Sequence, residues 1–228
     1  MVAALALGLA ALAPAHSRAQ LGALPVYSPV SPASQVPKLF VFADYGHGSG
    51  AIAGRRFLGG RILVTPKGRL FASAGAGQLD FGDPRFGSAA SVAAGAGLAL
   101  RKLPRFPVAL LQAGIGYTAF GDAITGRVHQ VDVPIAAAAG IYAPAPFGTV
   151  RLWLASRAHL RHVASSAPLP RVGVWKIGFG GAGGASITLR SGLGLQAGYD
   201  MLWIDDPLTG GRRFEGAVGL SGLWAHGF

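Results

Sequence analysis

The chain has 228 residues, 51% of them hydrophobic and only 13% charged, with a formal net charge of +11. That length supports one large domain with a substantial buried core, and so rich a content of aliphatic side chains excludes a disordered polymer. The absence of cysteine excludes disulfides and thiolate metal sites.

The first segment, MVAALALGLAALAPAHSRAQ, is an apolar run of signal-peptide length. It ends on small residues, with Ser17-Arg18-Ala19 resembling a small-x-small cleavage site, so residues 1–19 read as an export signal. An N-terminal anchor helix is the alternative reading. Residues 20–38 carry Pro25, Pro29, Pro32 and Pro37 among Ser and Ala and read as an extended periplasmic linker. Beyond them no run reaches the roughly 18–20 unbroken apolar residues that a spanning helix needs, because Gly, Pro or a charge intervenes. The 36 glycines and 15 prolines also disfavour helices. In lipid every backbone polar group must be paired, and without helices only a closed sheet does so.

From Leu39 to Phe228 apolar and small or polar residues alternate with period two, the pattern of strands with one greasy face. Strands are expected at about 39–47, 56–65, 69–79, 89–101, 106–120, 128–142, 149–162, 172–190, 192–204 and 213–228, within a few residues. The eighth is long and carries Gly180, Gly181, Gly183 and Gly184, where it is expected to bend. Between the strands, short links ("TPKG", "LRKLPRF", "APAPFG", "LRSG") alternate with longer polar ones. A barrel with turns at one rim and loops at the other alternates in this way. The expected fold is an all-β, closed, antiparallel up-and-down transmembrane barrel of about ten strands, with eight as the alternative, over residues 39–228.

The facing is consistent along the chain. Leu152, Leu154 and Leu160 oppose Arg151, Trp153, Arg157, His159 and Arg161; Leu111, Ile115 and Tyr117 oppose Gln112 and Thr118; Trp175, Ile177 and Phe179 oppose Lys176. Tyr117, Tyr142, Trp175, Trp203 and Trp224 lie near strand ends, as interfacial aromatics do. In the last strand, "FEGAVGLSGLWAHGF", Phe214, Val218, Leu220, Trp224 and Phe228 share one face. This pattern resembles the outer-membrane β-barrel proteins of Gram-negative-type bacteria, of the small OmpA or OmpX type or the ten-stranded type. The resemblance implies residence in the cell outer membrane and contact with its lipid. It also implies reading of Leu220, Trp224 and Phe228 by the barrel-assembly machinery.

If one face meets lipid, the other lines a lumen. Parity sends Arg61, Gln112, Asp132, Arg151, Arg157, His159, Arg161, Lys176, Arg190, Gln196, Asp200 and Glu215 inward. Folding about "APAPFG" brings Asp132 opposite His159, so a charge cluster of Asp132, Arg151, Arg157, His159, Arg161, Lys176 and Glu215 is expected, knitting the wall by mutual neutralisation. The excess of bases favours anions over cations in any narrow conducting path. Bases in or beside the expected outer loops, namely Arg55, Arg56, Arg85, Arg127, Arg161, Arg171, Arg212 and Arg213, suit the phosphates of an anionic glycolipid. Nucleic acid is not an expected partner, because the bases are scattered and no binding motif accompanies them.

The expected role is therefore structural or that of a narrow, anion-preferring channel, without catalysis, cofactor or metal. The alternative is a barrel enzyme, either an omptin-like protease or a lipid A-modifying enzyme. Asp80, Asp83, Asp122, Asp205, Asp206 and His129 are the candidate rim residues for the protease, and His162 with Ser165 or Ser166 is a candidate nucleophile and base pair. None sits in a recognisable motif. "GFGGAGG" (178–184) lacks the Lys-Ser/Thr and helix of a phosphate-binding loop and reads as small inward residues.

Overall fold

The computed structural model describes residues 38–51, 54–66, 69–82, 87–100, 108–122, 126–165, 173–205 and 211–227. The expected leader, most of the linker and Phe228 lie outside them.

Ten strands follow one another: β1 (Lys38–Gly50), β2 (Arg56–Thr65), β3 (Leu70–Asp80), β4 (Ser88–Ala99), β5 (Val108–Asp122), β6 (Gly126–Ala145), β7 (Gly148–Ser165), β8 (Val174–Leu189), β9 (Leu193–Asp205) and β10 (Arg212–Gly227). Each pairs antiparallel with its chain neighbours, and β1 closes on β10, from Lys38 opposite Gly227 to Gly50 opposite Glu215. Closure leaves no edge whose N–H and C=O groups would need water. With an even number of strands both ends of the barrel chain stand at one rim, called here the turn rim; the opposite one is the loop rim.

The interior is inverted relative to a soluble protein. Leu154 and Leu195 point away from the barrel and are 72% and 71% exposed, and Leu152, Ile177, Ile115 and Phe179 are at least half exposed. Asp132, Glu215, His159, Arg157 and Arg161 are buried inside. Only a lipid environment makes this arrangement favourable, because an apolar wall of this extent in water would be a massive exposed patch. The facing expected from parity is thus found strand by strand. One aromatic expected at the interface does not face out: Tyr142 points inward, its ring 5.6 Å from the Arg151 guanidinium. It follows the parity of its strand, and not the interfacial role that its place near a strand end suggested. Tyr117, Trp175, Trp203 and Trp224 do face out.

The expected alternation of short and long links holds only in part. Residues 123–125 separate β5 from β6 at the loop rim, whereas 100–107 separate β4 from β5 at the turn rim. The polar stretch "FGDAITGRVHQ" pairs on both sides of residues 123–125, which lie outside the described residues, with Asp122 opposite Gly126 and Ala119 opposite His129. β6 and β7, of 20 and 18 residues, are the longest strands. Both exceed the ~9–11 residues that a tilted strand needs to cross a bilayer, so the β6–β7 hairpin reaches beyond the apolar band. β8 is shorter than expected, at 16 residues.

Inside, the glycines make room for rings. A Cβ added at Gly97 would meet the Phe71 ring, and one at Gly77 or Gly59 would meet Phe57. A Cβ at Gly184 or Gly198 would meet the Trp153 indole. In each case the large side chain lies over an inward glycine, on its own strand (Gly59), on the adjacent one (Gly77, Gly97, Gly184) or on the next but one (Gly198), which fills a narrow lumen without forcing strands apart. Phe40, Phe42, Leu63, Phe71, Leu110, Ala138 and Leu223 form an apolar cluster toward the turn rim. Phe57, Leu79, Phe81 and Ala89 form a second toward the loop rim.

Candidate functional site: the charged interior

Between these apolar clusters lies a network of ions. Asp132 on β6 accepts from Arg161 Nε at 2.7 Å and from His159 Nε2 at 2.7 Å, both on β7. Gln130 donates to the other Asp132 oxygen at 2.6 Å. The strand register sets Asp132 opposite Arg161 and Pro134 opposite His159, so His159 reaches its carboxylate diagonally.

Arg161 also donates through Nη1 to Glu215 on β10, at 2.9 and 3.1 Å. β7 and β10 are not neighbours, since β8 and β9 stand between them. This side chain therefore runs as a chord across the interior. Glu215 is the only glutamate in the chain, and it also receives Arg213 at 2.8 Å. Arg157 makes a shorter chord, skipping β8 to meet Asp200 on β9 at 2.7 Å. It passes over Gly180, its register partner, which offers no side chain to obstruct it. Charge-assisted bonds of this kind, away from water, are the strong ones.

A second ion pair lies beyond the expected cluster. Arg61 Nε donates to Asp44 at 2.8 Å, and Ser221 donates to the other Asp44 oxygen. The Arg61 guanidinium stacks 3.9 Å over the Phe42 ring. Asp44 was missed by sequence reasoning, although "FVFADYG" carries the signal: Phe40, Phe42 and Asp44 share one parity.

Of the expected cluster, Asp132, His159, Arg161 and Glu215 come together, while Arg157 forms its own pair with Asp200. Lys176 faces inward as the register partner of Arg161. Arg151 does not belong to it. It lies near the start of β7, opposite Tyr142 and Ser186, because parity fixes the face of a residue and not its height along the barrel. Arg190, expected inside, stands exposed in the turn after β8. Arg161, grouped with the loop bases as well, is buried and unavailable to an external phosphate.

The residues considered for catalysis are apart. His129 bonds to Tyr117 Oη at 2.6 Å on the outer face. His162 packs against Trp175, also on the outside, with ring centroids 4.6 Å apart. Asp80 accepts from the Gly82 amide at 2.9 Å, and Asp205 pairs with Arg212 at 3.2 Å. Asp83, Asp206 and Ser166, and the side chains of Asp122 and Ser165, lie outside the described residues. At the chain end Leu220 and Trp224 face outward and are exposed.

A closed antiparallel barrel with an apolar outside and a charged, self-neutralised inside is the geometry of an outer-membrane β-barrel. No family model and no curated protein matches the chain. Among solved structures it is similar to Neisserial surface protein A, with 14% identity over 82% of this chain and 96% of that one, at a TM-score of 0.41. It is similar also to the translocator domain of the autotransporter NalP from Neisseria meningitidis, with 12% identity over 86% and 89% and a TM-score of 0.48. The outer membrane protease OmpT of Escherichia coli matches with 8% identity over 87% and 98%, at a TM-score of 0.43.

Proposed function

We propose that the chain is an integral protein of the bacterial outer membrane with a structural role, its lumen sealed against ions and without catalysis. The observation that carries this reading is the Arg161 side chain, held across the interior by Asp132 on β6 and Glu215 on β10. The Phe40, Phe42, Leu63, Phe71, Leu110 and Leu223 cluster fills the path toward the turn rim. A ten-stranded barrel is small enough for side chains to fill it or nearly so. Hydrated ions do not pass through a wall of paired charges and stacked rings without displacing them.

Reconstitution into planar bilayers tests this. The wild-type protein gives no steady current. Arg161→Ala combined with Phe42→Ala gives steady openings, because the chord across the interior and part of the apolar plug are removed together. A steady wild-type current would replace the sealed wall with the narrow channel.

Two partners belong to the same proposal. The alternating apolar face of β10, with Leu220 and Trp224 outward, serves recognition by the barrel-assembly machinery; replacing both with Ser slows assembly in cells. Arg56, Arg127 and Arg212 stand exposed at the loop rim, where guanidinium groups suit the phosphates of an anionic glycolipid.

A further inference from the structure

Arg151 is the inward arginine that the interior acids do not reach. Asp132 and Glu215 are held by Arg161, Asp200 by Arg157, and Asp44 by Arg61. These four are the buried carboxylates among the described residues. Arg151 makes no ion pair with any of them, and its Nε is enclosed without a hydrogen-bond partner. Directly across the register on β8 is Ser186, 2% exposed, whose Oγ has no partner. One step toward the turn rim, Thr149 faces Thr188, 9% exposed, whose Oγ1 likewise has none. Gln196 on β9 flanks Ser186, and Tyr142 on β6 flanks Arg151.

This side of the turn-rim mouth is lined by donors and by no carboxylate. An arginine with its Nε enclosed and unpaired, and no carboxylate in reach, is favoured by a counter-charge, and an unpaired buried hydroxyl carries a desolvation cost. A single small anion seated between β7 and β8 satisfies all three groups. The fork of an arginine with two adjacent hydroxyls matches a tetrahedral oxyanion better than a halide. The rim also favours arrival of anions. At this rim Arg69 and Arg190 stand exposed, and their field draws negative solutes to the mouth.

We propose that Arg151, Ser186 and Thr188 form a binding site for one inorganic oxyanion of the phosphate type inside the turn-rim mouth of the barrel. The site does not require the lumen to conduct, and its failure would leave the sealed-wall reading untouched.

The test is calorimetric titration of inorganic phosphate into the full-length protein folded in zwitterionic micelles at constant ionic strength. Wild type shows saturable binding of one phosphate per barrel. Arg151→Gln weakens it by roughly tenfold or more, the effect of removing a charge-assisted contact. Arg151→Lys retains part of it. Ser186→Ala with Thr188→Val weakens it several-fold, and Arg190→Gln leaves it within about twofold, since Arg190 adds only to the screened rim field. Heat-modifiable migration on a gel confirms that each variant is folded; if Arg151→Gln is not, the Ser186/Thr188 variant, which keeps the arginine, decides. No saturable binding, equal binding by the Ser186/Thr188 variant, or displacement of phosphate by chloride at matching concentration would overturn the proposal.

Discussion

Arg161 and Asp132 meet at 2.7 Å from directly opposed positions on β7 and β6, with both side chains removed from water. The arginine is simultaneously committed to Glu215 across the interior. Removing it leaves Asp132 with only His159 and Gln130, and Glu215 with only the half-exposed Arg213. Truncating one member of a buried ion network costs ~3–5 kcal/mol, much of it the penalty on the charges left behind. Arg161→Ala should therefore lose about that much stability in reversible urea unfolding from lipid vesicles. The triple replacement Asp132→Leu, Arg161→Met and Glu215→Met, which removes the ions together, should recover most of the loss. If Arg161→Ala unfolds at the wild-type urea concentration, the network is not holding the wall.

The outer face makes a separate prediction. Leu154 is the most open large aliphatic on β7 and sits at mid-strand. An arginine there must either meet hydrocarbon or drag its head to an interface. Leu154→Arg should cost ~2 to 4 kcal/mol, as midplane cations on barrel walls do. Gly116→Ser, on the inner face of β5, should cost less. Equal losses for the two in the same unfolding assay would mean that the faces are exchanged.

A third prediction concerns the rings laid over glycines. The ideal Cβ at Gly97 falls 2.1 Å from the Phe71 ring, whereas one at Gly222 meets nothing within 4 Å. Gly97→Val forces Phe71 from its seat in the apolar cluster near the turn rim, and overpacking of this kind costs about 1–3 kcal/mol. Gly222→Ala, on the open outer face, should be close to neutral. Paired unfolding curves decide the matter, and a neutral Gly97→Val would show that Phe71 has another rotamer available at no cost.

The contrast between Asp132 and Arg151 shows where the sequence was legible. Period-two alternation is imposed on each strand by the difference between lipid and lumen. It reveals the inward face of both residues and places the ten strands to within a few positions. What alternation omits is the stagger of one strand on the next, which is set by closure of the whole ring. Arg151 shares a strand and a face with Arg157, His159 and Arg161 but stands six or more residues from them, and only the stagger decides that Asp132, Asp200 and Glu215 come level with those three and not with Arg151. Link lengths were legible only where turn residues dominate, as in "APAPFG". The polar "FGDAITGRVHQ" was read as a loop, but two long strands extend into it from either side, because polar residues pair freely once a hairpin rises above the apolar band. Asp44 was readable from its parity, and its pairing with Arg61 follows from the β1–β2 register.

Pro134 lies inside β6, a place where a ring without an N–H is disfavoured. The β5–β6 ladder runs through Ala113 opposite Ile135 and resumes at Gly116 opposite Asp132, skipping Gly114 and Ile115. The β6–β7 ladder on the other side continues through Pro134 opposite His159. The interruption is thus one-sided, and it falls where β6 turns its carboxylate, Asp132, toward β7. A wall with a local gap in pairing opens there more readily than in the strands beside it, since opening breaks fewer bonds. In amide hydrogen exchange of the folded protein in micelles, Gly114 and Ile115 should lose protection ahead of Gln112 and Tyr117. Pro134→Ala, which restores the donor, should slow them toward their neighbours. If all four amides exchange together in the wild type, the skipped pairs do not weaken the wall, and the proline is tolerated there without a local opening.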